Sequence, residues 1–98
     1  MTGQSRSLDA ILRDRLKVIQ DIAAANTEQL RLNQKASGML VLDMKDTRDG
    51  VEEHAHEAER SRTEAALDRN MDEIRRLEER LSALDQELEA TVANEVDG

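Results

Sequence analysis

The chain has 98 residues, a net charge of −8, and no aromatic residue, proline or cysteine. A chain of this length is expected to form one domain, and without aromatics it lacks the largest side chains of an ordinary globular core. The absence of cysteine excludes a disulfide framework, a thiolate zinc site and an iron–sulfur cluster. The acidic balance disfavours direct binding to nucleic acid or to anionic lipid, because both are negatively charged.

Membrane insertion and secretion are not expected from the hydropathy pattern. No run approaches the roughly 18 consecutive apolar residues that a membrane-spanning helix needs. Arg13, Asp14 and Arg15 interrupt the first hydrophobic turns, so these do not form the apolar core of a signal peptide. The sequence therefore predicts a cytoplasmic protein without membrane contact.

The first predicted element is a long helix from about residue 7 to residue 46. Ser7 is a suitable N-cap, and Asp9 places a carboxylate in the first turn. Gly38 either weakens the helix by about 1 kcal/mol or ends it early as a C′ cap. Apolar and small polar residues recur at spacings of three and four, which is typical of coiled-coil packing. This stripe comprises Leu8, Leu12, Leu16, Ile19, Ala23, Asn26, Leu30, Asn33, Ser37, Leu40 and Met44.

A turn is predicted at about 46–50, followed by a second helix from about 51 to 93. Asp49, with Glu52 three residues later, forms a capping pair for this helix. The second helix carries its own stripe, which comprises Leu67, Asn70, Ile74, Leu77, Leu81, Leu84, Leu88 and Thr91. Residues 1–6 and 94–98 lack periodic apolar side chains, so both termini are expected to be frayed.

The two stripes mirror each other about Arg48. Folding the chain there pairs Leu12 with Leu84 and Asn26 with Asn70. The mirror predicts an all-α fold, an antiparallel two-helix hairpin with coiled-coil packing in which the asparagines set the register. The rival architecture is one continuous helix in a parallel dimer, and the turn-like segment at 45–50 counts against it.

Further apolar residues lie beside the first stripe. A lone hairpin buries only one stripe per helix, and domains this small rarely hold together without oligomerisation or another staple. We therefore expect two hairpins to dimerise into a four-helix bundle, or another protein to dock on the same face. The residues assigned to this second interface are Ile11, Val18, Ile22, Leu32, Val41 and Leu42.

Few side chains in the sequence offer catalytic or metal-binding chemistry. His54 and His56 lie two residues apart, so on a helix they point about 200° away from each other and cannot share an ion. There is no glycine-rich phosphate loop and no spacing typical of a nucleophile with its base. The sequence predicts no catalytic residue, no cofactor and no metal site, and hence no enzymatic activity.

The predicted turn is acidic, with Asp46, Asp49 and Glu52 at the tip of the hairpin. The segment from Asp46 to Val51 resembles the Asp-x-x-Asp-x-Ala tip of the DksA/TraR-like regulators. In that family a coiled-coil hairpin enters the secondary channel of RNA polymerase, and tip carboxylates act near the catalytic Mg²⁺. The resemblance implies that Asp46 and Asp49 are the tip acids. Val51 replaces the alanine, and the family's zinc-finger cysteines are missing.

The function predicted from the sequence is a protein–protein interaction module that acts through helix-on-helix packing, as an adaptor, assembly factor or regulator. Two alternatives stay open. One is a regulator that acts on RNA polymerase through its acidic tip. The other is an acidic inhibitor that mimics nucleic acid and binds a basic protein, and its binding would weaken strongly with salt.

Overall fold

The computed structural model describes residues 6–48 and 57–97. This part of the chain consists of two α-helices of 41 residues each, α1 (Leu8–Arg48) and α2 (Glu57–Asp97). The helices pack against each other and run antiparallel, which confirms the predicted all-α hairpin. α2 continues to Asp97, past the predicted end at residue 93. The predicted start of the second helix at residue 51 lies outside the described residues.

The beginning of α1 is fixed by the predicted N-cap. The Ser7 hydroxyl oxygen accepts a hydrogen bond from the Ala10 N–H at 3.1 Å, and the Ser7 carbonyl oxygen accepts one from the Ile11 N–H at 3.1 Å. Asp9 lies in the first turn, where the helix dipole favours a negative charge. Together these contacts satisfy backbone donors that would otherwise lack a partner at the helix start.

α1 continues without a break through Gly38 to Arg48. The alternative in which Gly38 ends the helix is therefore wrong. Apart from its chain neighbours and the adjacent backbone of its own helix, a Cβ atom placed on Gly38 would meet no heavy atom within 4 Å. The glycine is thus not required by any close contact within the described residues, and it costs the helix stability for no local gain.

The chain divides into two compact units, and each contains a stretch of both helices. The first unit comprises residues 1–24 and 74–98, and the second comprises residues 25–73. In the first unit, Ile11, Val18 and Leu84 form a buried cluster. The half-buried side chains packed against this cluster are Ile22, Leu77, Leu81 and Leu88.

The second unit has a narrower core with one polar member. Its buried residues are Ala25, Leu32, Met39 and Thr63. The Thr63 hydroxyl donates a hydrogen bond to the Glu59 carbonyl oxygen at 3.0 Å, and it lies 3.6 Å from the Met39 sulfur. Because the hydroxyl returns its hydrogen bond to the preceding turn of α2, it can be buried without an unsatisfied donor.

The stripe predicted for α2 packs on α1, but the stripe predicted for α1 is wrong. The buried residues of α1 recur every seven positions and are Ile11, Val18, Ala25, Leu32 and Met39. The large side chains of the predicted stripe are exposed instead: Leu12, Leu16, Ile19, Leu30, Leu40 and Met44. Relative to the prediction, α1 is turned by about one residue, or about 100°.

A physical reason for this rotation lies in the polar members of the predicted stripe. Burying that stripe would also bury Asn26, Asn33 and Ser37, and each buried polar group without a hydrogen bond costs roughly 1–3 kcal/mol. The observed row has only apolar side chains at its most buried positions. α1 therefore presents to α2 the stripe that needs no polar partners.

Burial also corrects the assignment of the second interface. Ile11, Val18 and Leu32 are buried in the hairpin, and Ile22 packs against the first-unit cluster. These four side chains hold the two helices together and are not part of an exposed docking face. Val41 and Leu42 are exposed, as expected for residues beyond the seam.

The predicted contact between Asn26 and Asn70 is wrong as well. The Asn70 side-chain amide donates hydrogen bonds to the Gln29 side-chain oxygen at 2.8 Å and to the Ala25 carbonyl oxygen at 2.9 Å. Asn26 is exposed. The polar layer of the second unit is thus formed by Asn70 with Gln29, and the small Ala25 side chain lets the amide approach the backbone.

The rotation of α1 can be tested with cysteine pairs, since the chain has no native cysteine. The double variant Ile11→Cys/Leu84→Cys is expected to close an intramolecular disulfide quickly, because both residues belong to one buried cluster. The neighbouring pair Leu12→Cys/Leu84→Cys is the matched control and should close far more slowly. Mass spectrometry of the non-reduced monomer measures both rates. Faster disulfide formation by the control pair would show that the predicted stripe of α1, and not the row that contains Ile11, faces α2.

Replacing Gly38 should stabilise the protein. Gly38→Ala adds a methyl group in open space, so we expect the free energy of unfolding to rise by about 0.5–1 kcal/mol. That gain corresponds to a few degrees in the thermal midpoint, followed by circular dichroism. Gln34→Gly, at an exposed position one turn earlier, should lower the midpoint. A Gly38→Ala variant that melts below the wild type would contradict the open environment of this residue.

Candidate partner-binding surface

The first unit exposes a row of large aliphatic side chains on α1. Leu12, Leu16 and Ile19 are 44%, 55% and 39% exposed, and their spacing of four and three places them on one helix face. This face lies about a third of a turn from the buried Ile11 and Val18. We call this row the outer stripe, and we use the same name for the exposed α1 residues that follow at the same sequence spacing in the second unit.

In the second unit the outer stripe mixes apolar and amide side chains. Leu30, Leu40 and Met44 are among the exposed large hydrophobic residues, and they alternate with the exposed Asn26 and Asn33. Next to Leu40, the exposed Val41 and Leu42 extend the apolar surface around the end of α1. A helix that is apolar on several faces is typical of a segment that another element covers.

Ion pairs line one edge of the first-unit seam. The Arg6 guanidinium donates two hydrogen bonds to the Glu87 carboxylate, each at 2.9 Å, and also binds Asp14. Arg80 lies 3.9 Å from the same Asp14 carboxylate. Hydrogen bonds from Arg6 lower the pKa of both Glu87 and Asp14. This edge joins α1, α2 and Arg6, which lies two residues before the start of α1, through charge-assisted contacts.

The outer stripe lies away from this ion-paired edge. Asp14 and Arg15 flank the buried row of α1 on opposite sides, and Leu12, Leu16 and Ile19 lie on the side of Arg15. Arg15 binds Asp85 of α2 at 2.6 Å. The aliphatic side chains beyond Arg15 are therefore left open, whereas the Asp14 side is occupied by Arg6, Arg80 and Glu87.

The second unit has a corresponding ion-paired edge. Lys35 of α1 lies 2.5 Å from the Glu59 carboxylate of α2, which also binds Arg62 at 2.8 Å. The hydrogen bond from Lys35, followed by that from Arg62, lowers the pKa of Glu59 to about 2. Glu59 remains partly exposed, so the contribution of these pairs to stability is modest and sensitive to salt.

Among the described residues, each unit carries a shallow groove that is open to solvent. In the first unit a mainly apolar groove on α2 is lined by Asp85, Leu88, Glu89, Val92 and Ala93. In the second unit a groove between the helices is lined by Glu28, Leu32, Ala66, Arg69, Asn70 and Glu73.

The part of the chain that the structure describes carries neither a metal-binding cluster nor a helix that could span a membrane. Residues 6–48 and 57–97 contain no cluster of three or more His, Cys, Asp or Glu side chains placed to hold a metal ion. Neither α1 nor α2 combines enough length with enough apolar character to span a bilayer.

The acidic tip predicted from the sequence falls largely outside the described residues. Asp46 lies in the last turn of α1, but its side chain is not described, and Asp49 and Glu52 lie between the two described ranges. His54 and His56 also lie between the two described ranges. The roles assigned to these residues stay predictions.

The sequence contains a signal for the outer stripe that the prediction misread. Apolar residues stand next to each other at Ile11-Leu12 and Val18-Ile19, so α1 carries two adjacent stripes with the same period. Comparison with known proteins does not assign either stripe a role, since no protein-family model, no curated protein and no solved structure matches the chain. Any function must therefore be argued from the exposed surface itself.

The pH dependence of stability should report the ion pairs of Glu59. Because its pKa falls from 4.5 to about 2 in the folded protein, its stabilising contribution is complete above about pH 4.5 and is lost as the pH falls towards 2. Glu59→Gln should therefore melt below the wild type at pH 7, and the difference should shrink towards zero at pH 2.

The difference between the two proteins is the quantity to measure, because acidification also relieves repulsion among the other carboxylates. Glu64→Gln, an exposed glutamate of the same unit, is the control for loss of one negative charge. A difference between wild type and Glu59→Gln that stays constant from pH 7 to pH 2 would show that the Lys35 and Arg62 contacts contribute nothing.

Proposed function

We propose that this chain is a non-enzymatic protein–protein interaction module that presents the outer stripe of α1 to a helix of a protein partner. The observation that supports this proposal is the exposure of Leu12, Leu16 and Ile19 on one helix face of the first unit. Contiguous apolar surface of this kind is typical of interaction sites. Its spacing of three and four suits packing against another helix.

The energetics favour coverage of this face. Burying one Leu or Ile side chain contributes about 1.5–3 kcal/mol relative to leaving it in water. Leu12, Leu16 and Ile19 are already about half buried, so covering the rest of all three contributes about half of that gain and offsets part of the estimated 4–15 kcal/mol cost of association. The exposed Leu30, Leu40 and Met44 of the second unit add to this gain.

Two kinds of assembly would cover the outer stripe. One is a dimer of hairpins that brings four helices together, as the sequence predicts. The other is a helix of a different protein. The alternative roles, a regulator of RNA polymerase and an acidic mimic of nucleic acid, depend on Asp46, Asp49 and the net charge of −8, and they remain predictions from the sequence.

The proposal is tested by site-specific photo-crosslinking in living cells that produce the chain. A photoreactive amino acid at Leu16, on the outer stripe, should give covalent adducts with protein. The same group at Glu79, an exposed position of α2 in the same unit, is the matched control and should give few adducts. Circular dichroism checks that both variants remain helical.

The identity of the adducts is read by mass spectrometry. Adducts that join residue 16 to a protein helix, whether from this chain or another, support the interaction module. Equal or absent adduct formation at positions 16 and 79, with helicity retained, would reject it.

A further inference from the structure

We infer that the outer stripe is covered by a second copy of this chain, with α1 of one copy packed in parallel on α1 of the other. This inference rests on the proposed function and names its partner. The two copies would be related by a twofold axis along α1, so that each residue of the outer stripe meets its own counterpart. Charge and the placement of two asparagines support this arrangement.

The net charges of the two helices favour α1 over α2 as the helix that contacts the second copy. α2 carries thirteen acidic and six basic residues, a net charge of −7, whereas α1 carries six acidic and seven basic residues, a net charge of +1. Two α2 helices placed side by side would repel each other. Packing α1 on α1 keeps both acidic helices on the outside, where their charge also maintains solubility.

Two asparagines of the second unit, Asn26 and Asn33, favour a parallel orientation of the two α1 helices. In a parallel pair Asn26 meets Asn26 and Asn33 meets Asn33, so each amide finds a donor and an acceptor in its counterpart. In the best-matched antiparallel pair, centred near residue 28, Asn26 faces Leu30 and Asn33 faces Ala23. That arrangement leaves the amides unpaired in an apolar contact, which is costly. Paired asparagines are a known way to fix the register of parallel helices.

The first unit is compatible with the same pairing. Leu12, Leu16 and Ile19 would each contact their own counterparts. The interface would then contain three layers, and the two aliphatic side chains of each layer are equal in size. In a parallel pair Arg15, which flanks these layers, comes next to Gln20 of the second copy, five residues further on. Arg15 is already bound to Asp85 of its own chain, so no like charges are forced together at this edge.

Cysteine crosslinking of the full-length chain tests the inference, together with sedimentation equilibrium of the wild type. We expect the wild type to sediment as a dimer. Single variants Leu16→Cys and Leu30→Cys should each form a disulfide with their own counterpart under mild oxidation. Glu79→Cys and Glu64→Cys, exposed on α2 in the first and second units, are the matched controls and should stay monomeric when oxidised.

A charge placed in the stripe supplies a second, independent readout. Leu16→Glu should raise the dissociation constant of the dimer by about a hundredfold or more, because a carboxylate then enters an apolar contact. Leu16 is more than half exposed in one chain, so the helicity of the monomer should be retained. Ser82→Glu, which adds the same charge to the exposed surface of α2, should leave the dissociation constant unchanged.

Three results would overturn the inference. The first is a wild type that stays monomeric up to millimolar concentration. The second is a dimer in which Leu12→Cys crosslinks to Met44→Cys of the other copy while Leu16→Cys does not crosslink to itself, which indicates antiparallel packing. The third is photo-adducts at residue 16 that contain another protein and never this chain. The third result would leave the interaction module standing and replace only its partner.

Discussion

The rest of the structure depends on a mismatch between the two helices. α1 carries two apolar stripes side by side, whereas α2 carries only one. A two-helix hairpin can bury one stripe on each helix, so one stripe of α1 has no partner within the chain. The stripe that is buried contains Ile11, Val18 and Leu32, and the stripe that is left exposed contains asparagine. Burying the stripe that contains asparagine would remove the side-chain amides from water, and this free-energy cost explains why the other stripe is buried.

Ion pairs then make the two edges of the seam unequal. In the first unit Arg6 and Arg80 bind Asp14, and Arg6 also binds Glu87, so this edge is occupied by long polar side chains. Lys35 and Glu59 have the corresponding role in the second unit. The edge near Leu12 carries the Arg15–Asp85 pair, and the aliphatic side chains of Leu12, Leu16 and Ile19 lie beyond it. The location of the charges thus leaves the aliphatic side of α1 exposed in the first unit.

The asparagines link the stability of one chain to the proposed assembly. Asn26 and Asn33 disfavour burial of their stripe against α2, because an amide buried without a hydrogen-bonding partner is costly. Asn70 shows what a buried amide requires here, because it is buried only in part and binds both the Gln29 side chain and the Ala25 carbonyl. A second copy would offer Asn26 and Asn33 an amide each. The same groups would therefore keep the outer stripe exposed in one chain and give it a fixed register in a dimer.

The sequence by itself determined the helical class, the antiparallel pairing, the N-cap at Ser7 and the contacting stripe of α2, because local propensity and a single apolar period specify them. It did not determine which face of α1 is buried. Ile11-Leu12 and Val18-Ile19 place large side chains on both stripes, and a period of three and four is identical for the two. Only the tertiary structure decided between them, through the packing of Ile11 on Leu84 and the partners that Asn70, Asp14 and Lys35 find across the seam. These contacts join residues that are far apart in the chain. The free energy that they contribute therefore cannot be predicted from the sequence of either helix alone.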